Sequence, residues 1–386
     1  NWFYSIDNGG TWSAIGIVSN TSARLLKADT STRLYFQPNA NFNGIITNGV
    51  TFRAWDQTSG SNGSTADTTN NGNNTAFSTS TDKAAIAITA VNDALLWRDR
   101  ISGQNVVWQL NGSTLQSSYY LPTLADLNWQ IVSTADFDRD GNADLLWRHQ
   151  TTGENAIWQM NRTGLQSGYY LATIADLHWQ LLGTDDFNGD GTADLVWRHQ
   201  TTGENAIWQL NGFSIQTAAL ITTVADVNWQ IVSTADFDND GKTDLLWRNQ
   251  VTGENAIWQM NGLTTKSAFY INAVGDTNWQ VAGTADFDHD GFADIVWRNR
   301  ATGENAIWQM NGTGLQSGYF VTAAPDVNWQ LVGVADLGGD RTPDFLWRNA
   351  TTGQTGLWQL SGFSYVQAYQ LPNTSSEWSV RPFTFA

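Results

Sequence analysis

The sequence predicts an all-β protein in which a β-sandwich module over residues 1–92 precedes a six-bladed β-propeller of four-stranded blades over residues 93–386. Three observations carry this prediction. From Asp93 a unit of fifty residues recurs, each full copy holding four short apolar-rich runs separated by turn residues, which is the pattern of a propeller blade. The chain holds 21 Trp, and only Trp2, Trp12 and Trp55 precede Asp93, which leaves three for each of six units. The first unit begins abruptly at its second strand, with Trp97 and Trp108 but no counterpart of Trp129, while an orphan first strand surrounds Trp378. These fragments complete one another, so the last strand is expected to close the first blade and remove the free edges of a linear array.

Taken in order, residues 1 to about 92 show β-like runs at Ala23–Leu26, Thr32–Phe36, Val50–Trp55 and Lys83–Val91, separated by Asn, Gly, Ser and Thr. The tract from Thr58 to Ser80 is so polar that it reads as a long mobile loop. One propeller unit runs from Asn128 to Leu177. Asn128–Ala135 reads as its first strand, Asp144–His149 as its second, Glu154–Asn161 as its third after the tight turn Gln150–Gly153, and Gln166–Ala172 as its fourth.

Between the first two strands lies Asp136, Asp138, Asp140, Gly141 and Asp144. Acids at alternate positions around one small loop repel one another unless a hard cation sits among them, and oxygen donors in this number suit calcium. An EF-hand needs a bidentate Glu at the twelfth loop position, which here is Trp147, and the apolar run Leu145–Trp147 makes the loop a connection between strands. The stretch returns as Asp186, Asn188, Asp190 and Asp194, as Asp236, Asp238, Asp240 and Asp244, and as Asp286, Asp288, Asp290 and Asp294. A fifth copy keeps Asp336, Asp340 and Asp344 but has Gly338 at a ligand position and Arg341 at the turn glycine, so it is expected to be weak or empty. About four calcium sites are expected.

The formal net charge is -17. It argues against nucleic acid or anionic lipid as a partner held by bulk charge. Cysteine is absent, which excludes disulfides, thiol catalysis and thiolate metal sites. No apolar run reaches the length of a membrane span, the longest candidate being Ala84–Val91. The sequence opens at Asn1 without Met or a basic-then-apolar leader, so a processed or excerpted piece of a longer protein is expected. Weak calcium sites fill where calcium is plentiful, which points to an extracellular or cell-surface setting.

The motif Asp-x-Asp-x-Asp-Gly-x-x-Asp between two blade strands resembles the FG-GAP, or VCBS, repeats of integrin heads and secreted bacterial proteins. The resemblance covers residues 93–386 and implies that the aspartates named above are calcium ligands, with a main-chain carbonyl near Asn142 completing the shell. That family is often seven-bladed; the Trp arithmetic makes this chain six-bladed. Phe52–Asp56 and the ending Ala85–Asp93 resemble the last three quarters of the cadherin-like modules of large bacterial surface proteins, with the opening strands missing. Together these resemblances imply a non-enzymatic, calcium-stabilised module serving adhesion or assembly. A filament made by strand addition to the incomplete module is one form of it.

Two other readings stay open. Arg148, Glu154 and Trp158, with Arg198, Glu204 and Trp208, resemble the Arg, Glu and Trp pockets of six-bladed fucose-binding lectins, which would make the chain a multivalent carbohydrate binder with a glycan as partner. The bland account of the same residues is a cross-strand Arg–Glu pair and Trp packing between blades. A polysaccharide lyase is the third reading. Such an enzyme needs one singular blade, and the near-identity of the units argues against it.

Overall fold

Each fifty-residue unit folds into one antiparallel sheet because its second strand is apolar on both faces while its fourth is apolar on one. In the second blade, Asp144–His149 is buried throughout, whereas Gly164–Leu171 lies largely open. The second strand therefore needs cover on both sides and the fourth can face solvent. The order in that blade is Trp129–Ala135, Asp144–His149, Asn155–Asn161, Gly164–Leu171, from the innermost strand outward, and the third to sixth blades repeat it fifty residues apart.

The first blade is assembled as expected from both ends of the repeat region. Its sheet runs Thr114–Leu121, Asn105–Asn111, Ala94–Asp99 and then Trp378–Phe383, with Val380 opposite Trp97. In the other five blades the innermost strand carries a bulge, as between Ile131 and Ser133, but the closing strand pairs residue for residue.

Six hydrophobic clusters fill the ring, each shared by two neighbouring blades; the one around Leu95, Trp97, Leu346 and Val380 joins the sixth blade to the first. Six buried Trp of the second strands, Trp97 to Trp347, are each 1% exposed. An arginine of the preceding blade lies over each of them. Arg98 covers Trp147 at 4.9 Å, Arg248 covers Trp297 at 5.0 Å, and Arg348 covers Trp97 at 5.1 Å, so the series of six returns to its start.

This computed structural model describes residues 2–36, 44–88 and 94–383. The chain divides into two compact units, Asn1–Ala90 and Val91–Ala386. The expected boundary at residues 92 and 93 and the end of the Ala85–Asp93 motif lie outside the described residues.

In the first unit, β1 (Trp2–Ser5) pairs with β2 (Ser13–Ala14) and β4 (Arg33–Phe36), β3 (Ser22–Arg24) with β6 (Thr65–Asp67), and β5 (Gly44–Phe52) with β7 (Asp82–Ile88). The polar tract Thr58–Ser80 is not the structureless loop its composition suggests. It supplies β6, buries Thr68 and Phe77, and is tied down where the Gly63 amide donates to the Leu25 carbonyl at 2.7 Å and the Thr68 amide to the Thr21 carbonyl at 2.9 Å. Backbone hydrogen bonds supply the order that apolar side chains do not.

Candidate metal loops

Antiparallel order puts all the aspartate loops on one rim, where each first strand turns into its second, and the Gln-Thr-Thr-Gly-type turns on the other. The loop backbone is dictated by its own carboxylates. Asp136 accepts from the Arg139 amide at 2.7 Å through Oδ1 and from the Gly141 amide at 2.9 Å through Oδ2, and Asp140 Oδ1 accepts from the Asn142 amide at 2.8 Å. Two residues take positive φ, Arg139 at 64° and Gly141 at 80°. In the sixth blade Arg341 adopts φ 71° at the position of Gly141, so that loop keeps its shape although it lacks the usual glycine and, at Gly338, a carboxylate.

The closing aspartate is anchored differently. Asp144 is wholly buried, accepting from the Met160 amide at 2.7 Å through Oδ1 and the Phe137 amide at 3.2 Å through Oδ2. Burial pushes Asp144, Asp194, Asp244, Asp294 and Asp344 each up to about 7. Asp138 is also raised, first by burial.

Among the described residues, carboxylate oxygens of three loop acids come within 4.8 Å of one another in the second, fourth and fifth blades: Asp136, Asp138 and Asp144; Asp236, Asp238 and Asp244; Asp286, Asp288 and Asp290. Asp238 Oδ1 and Asp288 Oδ1 are buried with no hydrogen-bond partner. In the third blade Asn188 stands at the second position and Asp190 pairs at 2.8 Å with Arg139 from the neighbouring loop. In the fourth blade the Lys266 ammonium lies 2.9 Å from Asp238 and 3.2 Å from Asp240, a second tethered cation at these loops.

A match to known proteins covers the loops from Asp186 onward and leaves out the Asp136–Asp144 loop. A family profile described as an FG-GAP-like repeat matches residues 186–247, 236–297 and 286–347. Residues 186–347 carry FG-GAP-like repeats. No curated protein matches the chain. Among solved structures, a chain of a nidogen–laminin complex is 12% identical over 75% of this chain and 98% of its own, with a TM-score of 0.48. A protein of unknown function from Bacteroides caccae is 15% identical over 76% and 99%, with a TM-score of 0.41. A β-propeller domain from Myceliophteria thermophila is 10% identical over 71% and 82%, with a TM-score of 0.43.

The structure does not assemble the Arg–Glu–Trp pocket. Arg148 and Arg198 are buried. Arg148 Nη1 donates to the Gly153 carbonyl and to Asn155 Oδ1 at 3.3 and 3.0 Å, and its Nη2 donates to the carbonyls of Ile174 and Trp179 at 3.3 and 3.1 Å. The arginine thus staples its own turn to the next blade, and the expected pair with glutamate does not form. Glu154 and Glu204 instead accept from the hydroxyls of Thr152 and Thr202, each at 2.8 Å. Trp158 and Trp208 pack against Trp147 and Trp197 at 4.8 and 5.1 Å. Asn155 and its equivalents Asn205, Asn255 and Asn305, buried partners of these arginines, were missed. The signal was the Gly-Glu-Asn triplet repeated beside the turns of four units.

On the opposite rim Asp176, His178 and His199 also converge. The amides of Thr201 and Thr202 donate to His199 Nδ1 at 3.3 and 3.1 Å, so Nε2 carries the proton it donates to Asp176 at 3.0 Å. His199 therefore has no free lone pair for a metal. His149 makes the same turn bond with Asp126.

Proposed function

We propose that this chain is a calcium-stabilised, non-enzymatic module of a secreted or surface-attached protein, serving adhesion or assembly of an extracellular structure. The observation that carries the calcium reading is the pair of orphaned oxygens, Asp238 Oδ1 and Asp288 Oδ1, inside their carboxylate trios. A carboxylate oxygen shut away from water and from every donor costs several kcal/mol unless a cation meets it. Two oxygens bound to one calcium at about 2.4 Å stand at most about 4.8 Å apart, a span that suits the trios. The loop glycine and the short Asp side chains leave room for the main-chain carbonyls and waters that calcium takes besides carboxylates. The third-blade loop joins the set with Asn188 in place of one acid, which lowers its charge and hence its affinity.

Near-equivalent blades suit a scaffold or repeated binding face better than an enzyme, whose reaction needs one singular constellation. Among the described residues no helix is long and apolar enough to cross a membrane. The first unit extends this reading: as a cadherin-like module it would sit in a longer array. Among its described residues β5 and β7 pair only with each other, leaving edges to which another chain could add a strand.

Melting in millimolar calcium and then in excess chelator tests the metal reading. Each site filled at a hundredfold excess over its dissociation constant adds about 2.7 kcal/mol. Equal melting temperatures in the two conditions would sink the proposal. Calcium-dependent oligomers in light scattering would favour assembly, and a monomer in both conditions would favour a binding head.

A further inference from the structure

The innermost strands of five blades follow one pattern, and the closing strand departs from it. The positions opposite Leu146, Val196, Leu246, Val296 and Leu346 are Ser133, Gly183, Ser233, Gly283 and Gly333, side chains that bring little or nothing into the space between neighbouring strands. Where the first blade should repeat the pattern, opposite Leu96, the closing strand places Arg381. It can do so because that strand lacks the bulge of the other five.

Arg381 lines a cavity of about 500 Å³ whose walls, among them Ser133, Thr134, Gly333 and Val380, come only from the innermost strands of the second, sixth and first blades. These are the innermost strands of three consecutive blades, so the cavity lies on the inner side of the ring, against the axial channel. Among the described residues no hydrogen bond or ion pair engages the Arg381 guanidinium. Burial alone pushes it below its ordinary value, without any charged neighbour acting on it. Arg381 is only partly exposed, and in a chain of net charge -17 a guanidinium inside the ring that faces no carboxylate is a cation left open to an anion from solution.

We propose that the axial channel is a binding site for a small oxyanion, a carboxylate or a sulfate- or phosphate-type group, held by the Arg381 guanidinium beside the Thr134 hydroxyl. The planar fork of arginine matches two oxygens of such a group. Occupancy would tie the closing strand to the second blade and so stabilise the closed ring. The site is independent of the aspartate loops and does not rest on the calcium reading.

The test uses the full chain in calcium, comparing acetate and sulfate with chloride at equal ionic strength. Sulfate stabilises most proteins through the solvent, so the readout is the difference between wild type and Arg381→Gln. The expected result is a melting temperature raised by at least about 2 °C more in wild type than in the variant for both anions. Equal shifts, or no shift beyond chloride, would overturn the proposal. Should Arg381→Gln fail to fold, modification of arginines by phenylglyoxal, read by peptide mass spectrometry, decides on the wild-type chain. Protection of Arg381 by sulfate at least tenfold greater than that of exposed Arg300 supports the site, and equal protection refutes it.

Discussion

Replacing Arg248 by Met should loosen the joint between the fourth and fifth blades. Arg248 is fully buried and donates to four acceptors: the Gly253 carbonyl at 3.1 Å, Asn255 Oδ1 at 2.9 Å, the Val274 carbonyl at 3.0 Å and the Trp279 carbonyl at 2.9 Å. At a net 0.5–1.5 kcal/mol each, these bonds are worth roughly 2–6 kcal/mol. Stacking on Trp297 at 5.0 Å adds about 0.5–2 kcal/mol. Methionine fills much of the volume and removes the cost of burying a charge, which offsets several kcal/mol. A net loss of about 3 kcal/mol is expected. Arg248→Lys should recover little of it, because a single ammonium cannot span acceptors on two blades. Denaturant titration followed by tryptophan fluorescence, in saturating calcium, measures both variants. A loss below about 0.5 kcal/mol for Arg248→Met, or full rescue by lysine, would refute the view that hydrogen-bond geometry, and not charge, fastens the blades.

Three further outcomes follow from the same geometry. Gly253 has φ +75° and a Cβ there would lie 2.0 Å from the Val274 carbonyl oxygen, so Gly253→Ala should cost more than about 2 kcal/mol. Gly212→Ala, with φ +59° and open space, should cost only about 1 kcal/mol; similar melting points for the two would contradict this. A Cβ at Gly333 would meet Pro382 of the closing strand at 2.2 Å, so Gly333→Val should speed amide exchange in Ala94–Asp99 and Trp378–Phe383 more than in the third and fourth blades. In chelator, the buried closing aspartates, raised to about 7, hold protons that the unfolded chain releases near 3.8. Their stabilisation is complete below the unfolded value and lost as pH rises through 7, so the calcium-free protein should melt higher at pH 5 than at pH 8. A melting temperature that rises over that interval would exclude this.

The arithmetic of Trp and the fixed spacing of aspartates determined the blade count, the strand order within each unit and the closure by Trp378–Phe383, because these are matters of period and local pattern. The same spacing located every aspartate loop. Composition misled at Thr58–Ser80, where order comes from backbone hydrogen bonds invisible in side-chain polarity. Pairing across a turn misled at Arg148 and Glu154, since adjacent strands suggest a neighbour but not the direction of a side chain. Only the closed ring brings Arg148 to Trp197 of the next blade, and only its third dimension sets the Lys266 ammonium against Asp238 and Asp240. Arg381 is the clearest case. In the sequence it is one cation in the closing strand, with nothing to mark it; the loss of a bulge and the convergence of innermost strands place it, unpartnered by any carboxylate, inside the ring. Local pattern specifies elements and their repetition, while burial and partnership belong to residues far apart in the chain and arise only when the ring closes.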